Sequence, residues 1–127
     1  MIRSFEVEIT TAADGSATDY STSTAITGKV VGIKYAFGDL ANTADFTIIG
    51  ETSLSPILTY ANVPAANAFW TPRILPNKNT DGAAYTDGVG PAPLVFSERI
   101  KITTAQGGNA KTGTMTFYIE DYVYLAE

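Results

Sequence analysis

The chain contains neither cysteine nor histidine, and these two absences remove much of the usual chemistry of enzymes. Without cysteine there is no disulfide, no thiolate nucleophile and no zinc–thiolate site. Without histidine the commonest general base and the usual imidazole ligand of metals are missing, and a serine triad of the ordinary type is impossible. Because carboxylates, lysines and tyrosines are the remaining groups for proton transfer, we expect a protein that is not an enzyme and that uses no cofactor or metal.

Charged residues are also scarce, at 17% of the 127 residues, while hydrophobic residues make up 45%. This balance is typical of a globular domain rather than of a disordered chain. No uninterrupted apolar run approaches the roughly 18 residues of a membrane span. Residues 1–8 alternate charged and apolar side chains, unlike the continuous apolar core of a secretory signal. We therefore expect one soluble domain, residues 1–127, with no membrane partner.

Basic residues are few and dispersed along the chain. Eight lysines and arginines stand against thirteen aspartates and glutamates, which gives a formal net charge of −5. Neutralising the phosphates of a nucleic acid requires a basic face, and here the basic residues are separated by acidic and threonine-rich stretches. The sequence therefore argues against a nucleic acid as partner.

The chain does contain a succession of short alternating segments separated by turns, and no convincing amphipathic helix. In residues 3–10 and 44–50 every second side chain is apolar. Residues 16–24 are polar and are expected to form an edge strand, and residues 56–60 form a further short strand. Residues 28–37 are the strongest central strand, whose apolar face is predicted to hold Val31, Ile33, Tyr35 and Phe37. About seven or eight strands at this spacing predict an all-β fold, a single-domain antiparallel β-sandwich of jelly-roll type.

The clearest turn signal lies between two alternating segments, residues 99–103 and 114–119. The residues between them include Gly107, Gly108 and Asn109, which tolerate positive φ angles, so the pattern predicts a β-hairpin. A lysine and a threonine follow these glycines, but the GxxxxGK[ST] spacing of a phosphate-binding loop is missing. A turn is therefore favoured over a phosphate site.

Residues 61–93 interrupt the alternation with five of the six prolines and the only tryptophan. Loops longer than roughly 12 to 15 residues in a compact domain are usually functional or disordered. Aromatic side chains beside an arginine favour a protein contact, a sugar-stacking platform or a cap over the end of the sandwich. The apolar C-terminal tail favours pairing with its own sheet or with a neighbouring subunit. The predicted interface therefore consists of Phe69, Trp70, Arg73, Ile74, Leu75, Tyr122, Tyr124 and Leu125.

Acidic residues offer two further candidate sites, and each has a simpler interpretation. Glu6 and Glu8 form a carboxylate pair of the kind used in glycoside hydrolysis, but alternate acids on a strand point to solvent. Asp81 and Asp87 precede glycines and could donate oxygens to calcium, but their spacing matches no EF-hand loop. Turn formation is the favoured interpretation of both aspartates.

Three segments, residues 26–35, 44–52 and 98–114, resemble the small structural proteins of tailed bacteriophages that are found among virion head genes. The resemblance covers most of the chain except residues 62–93, and it rests on strand and turn signatures. It implies a head decoration or cement protein that binds the major capsid protein on the outer shell. It also implies a homo-oligomer, with a trimer favoured by analogy, that is made in the bacterial host cytoplasm and located on the virion.

Two other functions stay open. A head–tail connector or tail component would assemble as a ring at one vertex of the particle. A carbohydrate-binding module on the virion surface would require an exposed Trp70. For a decoration protein, the expected contact surfaces are the N-terminal strand, residues 69–75 and residues 122–125.

Overall fold

The computed structural model describes residues 1–21, 24–75, 77–84 and 90–121. These residues form nine antiparallel strands and no helix, which confirms the predicted all-β sandwich with slightly more strands than expected. In chain order the strands are β1 (Ile2–Thr10), β2 (Ala17–Tyr20), β3 (Ile26–Ala36), β4 (Ala44–Gly50), β5 (Pro56–Val63), β6 (Ala68–Trp70), β7 (Leu94–Glu98), β8 (Ile100–Ala105) and β9 (Thr112–Asp121).

Five of these strands form one sheet and four form the other. The five-stranded sheet has the order β1-β9-β3-β6, and β7 also pairs with β3. Because β9 occupies one side of β3, strands β6 and β7 share the other side, end to end. The four-stranded sheet has the order β2-β8-β4-β5. Consecutive strands therefore usually lie in different layers of the sandwich.

The core lies between the two sheets and is built from side chains that alternate inward along each strand. Met115, Phe117 and Ile119 of β9 are fully buried, as are Ile100 and Ile102 of β8. With the inward residues of the other strands they form one apolar cluster. Burying one large apolar side chain contributes about 1.5–3 kcal/mol, so this cluster is the main source of stability in a chain without disulfides.

Strands β8 and β9 do not form the predicted hairpin. β8 pairs with β2 and β4, whereas β9 pairs with β1 and β3 in the opposite sheet. Residues 106–111 therefore carry the chain from one layer to the other, with positive φ angles at Gln106, Gly108 and Ala110. The hairpin prediction was wrong because alternation determines which side chains face the core but not which strands become neighbours.

A β-bulge in β3 changes which of its side chains face the core. The register against β9 shifts between Val30 and Gly32. As a result Val30 is fully buried and Val31 is only partly buried, while Ile33 and Tyr35 face the core as predicted. An extra residue on one strand changes which alternate side chains face the core. A strictly alternating pattern therefore assigned Val31 to the core face, which Val30 occupies instead.

The irregular excursion predicted for residues 61–93 is shorter than expected because part of it is strand. β5 continues to Val63, and β6 pairs with β3. After β6 the Ile74 N–H donates a hydrogen bond to the Pro91 carbonyl at 3.0 Å. This bond draws the two ends of the remaining loop together beside β7.

Candidate functional site

An apolar groove lies where the β7 edge of the five-stranded sheet meets the turn between β4 and β5. Its volume is about 170 Å³. The lining residues are Ser55, Pro56, Ile74, Pro91, Ala92, Pro93, Leu94 and Phe96. Proline fixes its own φ angle, so the three prolines stiffen the walls. We refer to these eight residues as the apolar groove.

Strand β7 supplies the exposed side chains of the apolar groove. Leu94 lies opposite Lys29 and Phe96 lies opposite Thr27 on β3. Phe96 is 54% exposed and Leu94 is 37% exposed, while Val95 between them is buried. Alternate side chains of a strand point to opposite faces. One short strand therefore contributes to the core through its middle residue and presents two large apolar side chains to solvent.

The turn between β4 and β5 adds a third exposed apolar side chain. Leu54 is 65% exposed and has a φ of 61°, a backbone conformation that is uncommon for residues other than glycine. It precedes Ser55 and Pro56 of the apolar groove. Large apolar side chains grouped on a surface are typical of a site that contacts another protein.

A buried carboxylate fastens this turn to β7. Glu98 is 4% exposed and accepts hydrogen bonds from the Thr52 N–H at 2.7 Å, the Ser53 N–H at 2.8 Å and the Ser53 hydroxyl at 2.6 Å. The Phe96 N–H donates a longer bond of 3.4 Å. Burial by itself raises the pKa of Glu98, but these hydrogen bonds outweigh it and the net pKa is lowered. The charged carboxylate thereby positions one wall of the apolar groove.

Gly50 provides the space that this carboxylate occupies. A β-carbon at Gly50 would have three atoms of Glu98 as its nearest neighbours, with the carboxyl carbon at 2.6 Å. Such a separation is too short for a real contact, so any larger residue at position 50 displaces the carboxylate from its donors. Gly50 therefore leaves the Glu98 carboxylate within reach of its donors.

An ion pair between Arg99, the residue after Glu98, and Glu51 also supports the turn between β4 and β5. The Arg99 Nε donates to the Glu51 carboxylate at 2.7 Å, and Nη2 donates to its second oxygen. The guanidinium carbon also lies 4.1 Å from the centre of the Tyr20 ring. The hydrogen bond from Arg99 lowers the pKa of Glu51. About a third of each charged side chain is exposed, so solvent weakens the electrostatic attraction between them. The pair holds the turn in place and adds little to the stability of the fold.

Phe69 and Trp70, predicted as neighbours in one interface, point to opposite faces of the sheet. Phe69 is 60% exposed, and its ring centre lies 5.9 Å from that of Tyr118. Trp70 is partly buried, stacks on Tyr35 at 4.9 Å and packs against Tyr60 at 5.4 Å. A sugar-stacking platform needs an open aromatic face, whereas Trp70 packs its ring against the core.

Of the predicted contact residues that the structure describes, one lies at the apolar groove. Ile74 lines it, Arg73 is exposed and Leu75 is partly buried. The Arg73 Nη1 donates to the carbonyl of Pro72 at 2.8 Å. The remaining predicted contact residues lie outside the described residues: Tyr122, Tyr124 and Leu125.

The acidic residues considered as catalytic groups or metal ligands are dispersed. Glu6 and Glu8 are exposed on β1. Asp81 accepts a hydrogen bond from the Ala83 N–H at 3.0 Å and so stabilises its own turn, and Asp87 lies outside the described residues. Within the part of the chain that the structure describes, no three acidic residues come together as a metal site.

Sequence reasoning missed the three most distinctive residues of the site, Leu94, Phe96 and Glu98. Residues 94–96 are all apolar, and a single strand between two layers buries only one of its faces. A short strand with apolar residues on both faces must therefore expose some of them, and this signal could have revealed that Leu94 and Phe96 are exposed. Nothing in the sequence signals the burial of Glu98, because its donors come from a turn about 45 residues earlier.

No protein-family model, curated protein sequence or solved structure matches this chain. Among the described residues, no helix has the length and apolar character needed to cross a membrane. The fold and the site together define an all-β sandwich with an exposed apolar groove.

Proposed function

We propose that this chain is a non-enzymatic structural protein of a tailed-bacteriophage virion. It acts as a capsid decoration or cement protein that binds the major capsid protein on the outer shell. It does so as a homo-oligomer, with a trimer favoured by analogy. The sequence resemblance supports the placement in a virion. The observation that carries the contact function is the apolar groove, whose lining includes exposed Leu94 and Phe96 and which lies next to the turn that carries exposed Leu54.

The size of the exposed apolar surface fits a weak contact that is repeated many times. Complete burial of one large apolar side chain contributes about 1.5–3 kcal/mol, and the three exposed side chains are already half-buried on average. Burying the rest of these three side chains therefore contributes roughly 2–4.5 kcal/mol. The cost of immobilising a free partner offsets this gain, so one copy alone binds weakly. Linked copies on a symmetric shell bind far more tightly than one copy does, so a modest contact is sufficient for an oligomer.

The proposal is tested by counting copies in purified particles of the phage that encodes the chain. Quantitative gels and electron microscopy should find hundreds of wild-type copies spread over the shell. The double variant Leu94→Ser/Phe96→Ser should lose most of this occupancy, because it removes the exposed apolar side chains. Thr103→Ala, on the exposed outer face of β8, is a matched control that should bind normally.

Each other result has a definite meaning. Normal occupancy of the double variant would exclude the apolar groove as the contact. A dozen copies or fewer at one vertex would favour a connector or tail component. Absence from the particle would contradict the virion placement, and measured binding of soluble glycans would then favour a carbohydrate-binding module.

A further inference from the structure

Strand β1 has one edge that no described strand covers. Its nine residues pair with β9 in an unbroken antiparallel register, from Ile2 opposite Glu120 to Thr10 opposite Thr112. The strand contains no proline, and its register contains no bulge. Its opposite edge is the end of the five-stranded sheet.

Hydrogen bonds at the two ends of β1 show which backbone groups face that open edge. The Asp121 N–H donates to the Met1 carbonyl at 2.8 Å, and the Thr11 N–H donates to the Lys111 carbonyl at 2.8 Å. Hydrogen-bonded pairs alternate along an antiparallel ladder, so the odd-numbered residues of β1 bond to β9. The even-numbered residues direct their N–H and C=O groups to the open edge, and all of them are exposed: Ile2, Ser4, Glu6, Glu8 and Thr10.

The other three sheet edges are protected against pairing. β2 has only four residues. β5 begins at Pro56, contains two register shifts and has a positive φ of 54° at Asn62. β6 and β7 divide the fourth edge into pieces of three and five residues. Short strands, bulges and prolines are the usual protection of natural sheet edges, and β1 has none of them.

The charges of Glu6 and Glu8 protect the open edge of β1 against unwanted pairing, and the same charges favour a basic partner. Glu6 and Glu8 project from the outer face, opposite Thr116 and Thr114 of β9. No cation forms a salt bridge with either glutamate among the described residues. If β1 paired with a second copy of itself in the fully overlapping register, Glu6 would lie opposite Glu6, and opposed like charges destabilise a sheet. A strand with lysine or arginine at these positions is favoured instead.

The inner face of β1 adds an apolar preference. Val7 and Ile9 are buried, but Phe5 near the start of the strand is only partly buried. Arg3 lies over its ring, with the guanidinium carbon 5.1 Å from the ring centre. A neighbouring strand with apolar side chains on this face would cover Phe5 and extend the core, because opposed residues in a sheet share a face.

We propose that the open edge of β1 binds an extended segment of another protein that alternates apolar and basic residues. The segment joins the five-stranded sheet as a further strand. Backbone hydrogen bonds supply the affinity, and the side-chain alternation supplies the specificity. This interaction does not depend on the virion placement, since it rests on the geometry and charge of β1 alone.

The first test uses a synthetic peptide of about ten residues that alternates valine and lysine. A peptide that alternates valine and glutamate is the matched control. Amide hydrogen exchange followed by NMR should slow by about tenfold or more at Ser4, Glu6 and Glu8 when the lysine peptide is added. The amides of Phe5 and Val7 already bond to β9 and should not change.

Two variants separate charge from backbone recognition. Glu6→Lys/Glu8→Lys should weaken binding of the lysine peptide by about tenfold or more and should bind the glutamate peptide instead. Glu6→Pro removes an N–H from the open edge without removing a bond to β9, so it should weaken both pairings. Trp70 fluorescence verifies that each variant is folded.

In the peptide experiments, the proposal would be overturned by no binding of the lysine peptide, equal binding of both peptides, no reversal in the charge-swapped variant, or protection that spares the even-numbered amides. A wild-type dimer that sedimentation detects and that protects these same amides would also overturn it, because the occupant would then be a second copy.

Discussion

Replacing Glu98 with alanine should destabilise the fold by roughly 3 kcal/mol. Three short hydrogen bonds join its carboxylate to Thr52 and Ser53, and each bond to a charged group contributes about 1.5 kcal/mol at the low end of the usual range. The low end applies because both donor residues are exposed and can bond to water in the variant. The total of roughly 4.5 kcal/mol is reduced because alanine also removes the cost of burying a carboxylate.

A double-mutant cycle with Gly50 tests the geometry behind this number. Gly50→Ala alone should also destabilise the fold, because its new methyl group displaces the Glu98 carboxylate. In the Glu98→Ala background the same methyl group has space, so it should cost less by about 1–2 kcal/mol. Urea unfolding followed by the fluorescence of Trp70, the only tryptophan, measures all four proteins. Equal costs of Gly50→Ala in the two backgrounds would refute the reasoning, as would a Glu98→Ala variant as stable as the wild type.

The same carboxylate gives the fold a defined acid sensitivity. The pKa of Glu98 in the folded protein lies below its ordinary value of 4.5. Its contribution is therefore complete above about pH 4.5 and is lost as the pH falls through the lower, folded value. Asp14 and Glu51 also have lowered pKa values and contribute to the loss of stability in acid. The comparison of wild type with Glu98→Ala therefore isolates the part of this loss that is due to Glu98. The variant should lose less stability than the wild type between neutral pH and pH 3, and parallel curves would contradict the assignment.

Three further predictions concern the core and the edge. Tyr35→Phe should leave stability unchanged or raise it by up to about 1 kcal/mol in urea unfolding, because the buried hydroxyl has no hydrogen-bond partner among the described residues. Burial also raises the pKa of Tyr35 to about 12, so the stability of the wild type should fall as the pH rises from 10 towards 12, and this fall should be absent in the variant. Trp70→Ala should cost about 3 kcal/mol by thermal or urea unfolding, since the indole packs on Tyr35; an unchanged midpoint would contradict that packing. Glu6→Thr/Glu8→Thr should self-associate in sedimentation velocity as concentration rises, because the repulsion at the open edge is removed; a strictly monomeric variant would show that these charges do not protect the edge.

The sequence was sufficient for the inward and outward faces of most strands but not for their neighbours. The alternation in residues 114–119 predicted a strand with one apolar face, and the structure buries that face, Met115, Phe117 and Ile119, because a strand that borders a core must alternate. The pairing of β8 and β9 was not predictable from that pattern, because two strands joined by six residues can either form a hairpin or belong to opposite layers. Whether Val30 or Val31 faces the core depends on a bulge, and contacts from several strands determine where that bulge forms.

The candidate site was only partly predictable for a similar reason. Ile74 was named as a contact residue because the segment around it is too apolar to be a solvated linker and does not alternate as a strand would. The structure places Ile74 in the lining of the apolar groove, and its contact with a partner stays a prediction. The exposure of Leu94 and Phe96 follows from the position of β7 at a sheet edge, which is a property of the whole topology. The burial of Glu98 depends on a turn distant in sequence, and local patterns contain no information about such a contact.

The two proposed contact surfaces lie at opposite edges of one sheet, and this arrangement bears on assembly. The sheet order β1-β9-β3-β6, with β7 beside β6, places the open edge at one end and the apolar groove at the other. The two surfaces therefore do not compete, and one copy can engage two neighbours at once. They also differ in chemistry, since one presents backbone groups with acidic side chains and the other presents apolar side chains. Two modest contacts on one rigid body reinforce each other strongly.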